Sequence, residues 1–141
     1  MRAERARLKR LQRLERVRAI AKQSLAADAA RAEGTLAQLE ALAERTRTMS
    51  AEYAARARFA DGLELRQQGQ FVAGLQAITH TTAADAVQAK ALADRKQQEL
   101  AQAERSRAAV EDRALAQEKT IAARTAPLAL DARKAIGTDL E

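Results

Sequence analysis

The chain has 141 residues, 25 of them Lys or Arg against 19 Asp or Glu, with no cysteine, no tryptophan, and Tyr53, Phe59 and Phe71 as its whole complement of Tyr and Phe. So few large side chains cannot fill a compact interior, whereas the dominant Ala, Leu, Arg, Gln, Glu and Lys lose little side-chain freedom in a helix. The absent cysteine excludes a disulfide frame, thiolate metal ligation and a cysteine nucleophile, and fits a reducing compartment. No stretch reads as a secretory signal or a membrane span, so the expected location is the cytoplasm.

Charge is unevenly placed. The first eighteen residues hold Arg2, Arg5, Arg7, Lys9, Arg10, Arg13, Arg16 and Arg18 against only Glu4 and Glu15, leaving seventeen residues of each sign in the remainder. A basic end of this kind is expected to meet an acidic partner.

The first predicted helix spans about 2–60. With Leu11 as an a position, its a and d sites run through Leu14, Arg18, Ala21, Leu25, Asp28, Ala32, Thr35, Leu39, Leu42, Thr46, Met49 and Tyr53 to Arg56, Ala60 and Leu63. An apolar period of 3.5 residues sustained this long indicates a left-handed coiled coil. Asp61-Gly62 then supplies a turn dipeptide, Asp61 can cap a helix with Glu64 completing a capping box, and Gly69 offers a second break, so the turn is placed at about 61–69.

The second predicted helix covers about 70–125. Its stripe runs Leu75, Ile78, Thr82, Ala89, Leu92, Lys96 and then slips by one position to Leu100, Ala103, Arg107, Val110, Ala114, Gln117 and Ile121, a slip that resembles a stutter. Thr79 to Thr82 are poor helix formers around His80 and suggest a local break. Pro127 is expected to end the helix, leaving a mobile tail over about 127–141 in which Gly137 caps a short last turn. Two arms of about 60 residues, each about 90 Å long, predict an all-α fold: a long antiparallel two-helix coiled-coil hairpin, one domain over 1–141. All three aromatics would gather at its turn end.

Catalysis finds little support. His80 is the single histidine, the carboxylates sit beside arginines as on a solvated helix surface, and the glycines form no phosphate loop, so no catalytic, cofactor-binding or metal-binding residue and no small-molecule substrate is assigned. Nucleic acid is the weaker reading of the basic end, because no aromatic is interleaved with its arginines and Glu4 and Glu15 interrupt them.

Two spaced sets sharpen the reading. Gln38 and Leu42, followed by Arg45 and Met49, and Phe71, Leu75 and Ile78, followed by Thr82, keep 4-3-4 spacing, which holds each set to one helix face. If residue i lies opposite roughly 125 minus i, the two sets share one height. In length, charge and these residues the chain resembles the FliJ family of flagellar type III export proteins, with Arg45 and Met49 where that family usually has tyrosines and Thr82 where it has histidine. The resemblance implies a non-enzymatic stalk, similar in fold to the central stalk of rotary ATPases and located in the cytoplasm at the inner-membrane base of the flagellum. Such a stalk serves motility by inserting its basic end, here Arg10, Arg13, Arg16 and Arg18, into the hexameric flagellar export ATPase. Its implied partners also include export chaperones and the cytoplasmic domain of the membrane export gate. The gate would be bound through Gln38, Leu42, Arg45, Met49, Phe71, Leu75, Ile78 and Thr82, and the membrane reached only through the export apparatus. A stalk of a virulence injectisome, a generic coiled-coil scaffold and a basic nucleic-acid-binding rod are the competing expectations.

Overall fold

A computed structural model of the chain describes the backbone of residues 1–138 and the side chains of 1–127, 132 and 133. Over these residues the protein is helical: α1 spans Arg2–Ala54 and α2 spans Gly62–Thr138. Two long helices packed against each other form two compact units, one of residues 26–99 and one of 1–25 with 100–141.

In the 26–99 unit, α1 and α2 run in opposite directions. Thr46 meets Thr79 at 2.7 Å between hydroxyls, the Tyr53 and Phe71 rings lie edge to face at 4.8 Å, and Gln97 Nε2 donates to Glu33 at 2.7 Å. Partner numbers sum to near 125, as the folding-point estimate expects.

The seam differs from the predicted one in a consistent way. The positions Leu25, Ala32, Leu39, Thr46 and Tyr53 do face the partner helix, but the alternate positions are Ala29, Leu36, Ala43 and Ser50, each one residue later than Asp28, Thr35, Leu42 and Met49. On α2 the interior positions are Val72, Leu75, Thr79, Thr82, Ala86, Ala89, Ala93 and Lys96, and the same 3-4 alternation continues at Leu100, Ala103, Arg107, Val110, Ala114, Gln117 and Ile121. The register therefore never slips and the predicted stutter is absent: Ile78 and Leu92 are bulky but exposed neighbours of the seam residues Thr79 and Ala93. Leu92 is 42% exposed while Ala93 beside it is 3% exposed. Small side chains win these positions because they let the two backbones approach, so that many weak dispersion contacts form along the whole interface.

Four predicted breaks are absent or displaced. α1 ends at Ala54, and α2 begins at Gly62 rather than near 70, because the Asp61–Glu64 box does start a helix there. Asp61 Oδ1 accepts from the Glu64 amide at 2.8 Å, and Glu64 Oε2 accepts from the Ala60 amide at 2.7 Å, so two otherwise orphaned donors are satisfied. Gly69 lies inside α2 with ordinary negative φ and breaks nothing. Thr79 turns its hydroxyl towards the Leu75 carbonyl at 2.8 Å, which keeps a β-branched polar residue inside the helix, and no break occurs at 79–82. Pro127 also lies within α2; it removes one helical hydrogen bond, but Pro127 and Ala123 are exposed, so the released Ala123 carbonyl reaches solvent. Gly137 is likewise helical, and the last part of the predicted mobile tail, 139–141, lies outside the described residues.

At the turn, the Tyr53 carbonyl accepts from the Arg56 amide at 3.3 Å and from the Gln68 side chain, and the Arg56 guanidinium sits 3.9 Å from the centre of the Tyr53 ring. Phe59 is half-buried and lines a groove with Leu65, Gly69 and Val72. The three aromatics thus share the turn end, with Tyr53 and Phe71 in direct contact.

Candidate functional site

The observed register decides which of the singled-out residues are reachable. Heptad letters assigned from the seam put Leu42 and Met49 at g positions of α1, and Phe71 and Ile78 at g positions of α2, each just before a seam residue. Reversing one helix of a pair brings the g positions of both to one side and the e positions to the other. The 26–99 unit shows both sides. One groove is lined by Asp28 and Thr35 with Leu92, all g positions, and another by Arg47 and Ala54 with Gln76 and Ala83, all e positions.

Leu42, Met49, Phe71 and Ile78 therefore stagger along a single flank over about a dozen residues of α1, or roughly 18 Å. Leu42, Phe71 and Ile78 are exposed, and Met49 is half-buried. Gln38 and Arg45 occupy c positions farther out on the same side of α1, and both are exposed. The remaining pair is placed elsewhere. Leu75 and Thr82 are each 6% exposed and sit in the seam, where they support the flank without forming its surface.

His80 is exposed and lies on the opposite side, beside Arg47 and Ser50. Among the described residues no cluster of three or more His, Cys, Asp or Glu is arranged to hold a metal ion, and no helix is long and apolar enough to cross a membrane.

In the unit built from 1–25 and 100–141, polar chemistry replaces much of the apolar seam. Arg107 occupies an interior position and reaches Glu104 at 2.8 Å, Glu111 at 2.8 Å and Glu15 at 3.3 Å, while Lys22 reaches Glu104 at 2.7 Å. Hydrogen bonds from Arg107 and then Lys22 hold the Glu104 carboxyl down at about 2. The Arg107 guanidinium is correspondingly held charged by its bonds to Glu104 and Glu111. Glu4 is paired with Arg124.

Arg10, Arg13, Arg16 and Arg18 are all exposed, and none takes part in an ion pair among the described side chains. Arg18 falls on the seam spacing yet turns outward, as a long charged side chain can do by laying its stem along the helix. Sequence reasoning missed Arg107 as the hub of a network. Its position in the stripe was visible, and the three carboxylates within reach follow from i, i+3 and i, i+4 spacing and from pairing with α1.

No protein-family model, no curated protein and no solved structure matches this chain.

Proposed function

We propose that the chain is a non-enzymatic, stalk-like component of the flagellar type III export apparatus. In this reading its basic end binds the hexameric export ATPase and promotes ring assembly, while the Leu42–Met49–Phe71–Ile78 flank contacts the export gate. The fold would then be that of a long antiparallel hairpin comparable to a rotary-ATPase stalk. The observation that carries the proposal is the flank: two residue pairs, Leu42 with Met49 and Phe71 with Ile78, more than twenty positions apart in sequence, meet on one side of the 26–99 unit, apolar and largely exposed, with Gln38 and Arg45 at the margin. Exposed large apolar groups concentrated on one side of a helix pair mark a binding surface, because nothing in the fold itself requires them there.

The test is affinity for the purified cytoplasmic domain of the export gate. Leu42→Asp with Ile78→Asp places two charges on the flank without entering the seam, so binding is expected to fall by at least tenfold while helicity and melting temperature stay close to the parent. Unaltered gate binding by this variant would remove the flank from the reading.

A further inference from the structure

Glu4 and Glu15 appear in the sequence as interruptions of the basic run, but the structure turns both towards the α2 side, where they pair with Arg124 and Arg107. At 100° per residue, Arg2, Arg5, Lys9, Arg13 and Arg16 fall within an arc of about 80° on the outward side of α1, spaced 3-4-4-3 over about 21 Å. All five are exposed, and no carboxylate shares their arc between residues 1 and 20. Ile20 continues the same line and Val17 lies next to it; they are 67% and 61% exposed, among the most open large apolar side chains on α1. The face is therefore an uninterrupted row of cations ending in two aliphatic groups.

We infer that this face docks directly on an anionic lipid surface, with Arg2, Arg5, Lys9, Arg13 and Arg16 over the phosphate headgroups and Val17 and Ile20 seated at the boundary of the acyl region. The charge pattern would suit any polyanion, but the aliphatic pair selects among them. Val17 and Ile20 have no role against a nucleic-acid backbone, and no aromatic or amide side chain on the arc is placed to stack on or read a base. On a bilayer the same residues do what an interfacial helix requires: cationic side chains gather anionic headgroups while apolar groups at the same level leave water. Arg13 and Arg16 are shared with the residues that the export reading assigns to the ATPase, whereas Arg2, Arg5, Lys9 and Ile20, the positions varied below, lie outside that set, so loss of lipid binding and loss of ATPase binding are read separately.

The experiment is flotation of the full chain with vesicles of equal parts phosphatidylcholine and phosphatidylglycerol, against vesicles of phosphatidylcholine alone. Binding to the mixed vesicles only is expected. Arg2→Glu, Arg5→Glu and Lys9→Glu together should lower the partition coefficient by at least about a hundredfold, because each basic residue near an anionic surface contributes about fivefold and the new carboxylates add repulsion. Ile20→Ser, which leaves the charge untouched, should lower vesicle binding severalfold and leave binding to duplex DNA unchanged. Equal binding to both vesicle types, no flotation with either, duplex DNA bound more tightly than mixed vesicles at equal phosphate, or Ile20→Ser without effect on flotation would each overturn the inference. All variants lie on the outer side of α1, and circular dichroism confirms that a lost interaction is not a lost fold.

Discussion

The choice of Ala93 over Leu92 as the interior residue of α2 has a direct energetic consequence. Ala93→Leu forces three additional carbons into a position that is 3% exposed and faces α1, and overpacking of this kind costs about 1–3 kcal/mol. Leu92→Ala removes a side chain that is 42% exposed, so roughly half of its transfer energy is already forgone and no enclosed cavity forms; the loss should be about 1 kcal/mol or less. For a chain of this size about 4 °C accompanies each kcal/mol, giving a fall of roughly 4–12 °C for Ala93→Leu and at most about 4 °C for Leu92→Ala. Thermal unfolding followed by far-ultraviolet circular dichroism at neutral pH measures both, provided that the transition is cooperative. Had the slipped stripe been the true seam, the order would reverse: Leu92→Ala would open a cavity at about 2–5 kcal/mol, and Ala93→Leu would be nearly neutral. That reversal would refute the register described here and, with it, the placement of Leu42 and Ile78 on a common flank.

Asp61→Ala should cost about 1 kcal/mol, read as a lower melting temperature, because the Glu64 amide loses its capping acceptor. Phe71→Ala should lower stability by about 1 kcal/mol, the size of an edge-to-face aromatic contact, since Phe71 touches Tyr53 yet remains exposed; a loss of 3 kcal/mol or more by the same melts would make Phe71 a core residue. The Glu104 carboxyl is depressed from 4.5 to about 2, so its contribution to stability is complete above about pH 4.5 and disappears as the pH falls towards 2. Melts of the parent and of Glu104→Gln should therefore differ at neutral pH and converge near pH 2, and a gap that persists at pH 2 would show that the Arg107–Lys22 network is not its source.

The helical fold and the opposed pairing are legible in the sequence because they rest on repetition: a period of 3.5 residues in an alanine-rich chain, one capping box, and few residues that prefer anything but helix. The exact seam is harder to read. Ala29, Ala43, Ala86 and Ala93 gain their positions by letting two backbones close together, an energy shared among many neighbours, whereas Leu42, Ile78 and Leu92 attract attention individually and end beside the seam. Pro127 and the Thr79–Thr82 segment show the same limit in another form: local preference disfavours helix there, and the context of α2 overrides it. At the basic end, composition locates the arginines, but it does not reveal that Glu4 and Glu15 face α2 and leave an outer face of one sign. That depends on Arg107 and Arg124, more than ninety residues away in sequence.

The most direct test of the proposed role is to titrate the chain into a purified flagellar export ATPase in lipid-free solution while recording ATP hydrolysis and ring formation. The parent chain is expected to raise both, and replacement of Arg10, Arg13, Arg16 and Arg18 by glutamate is expected to abolish the effect with helicity intact, because reversed charges at an encounter surface repel the partner they formerly attracted. Stimulation by that variant equal to the parent's, or no stimulation by the parent at any ratio, would contradict the assignment as an export stalk.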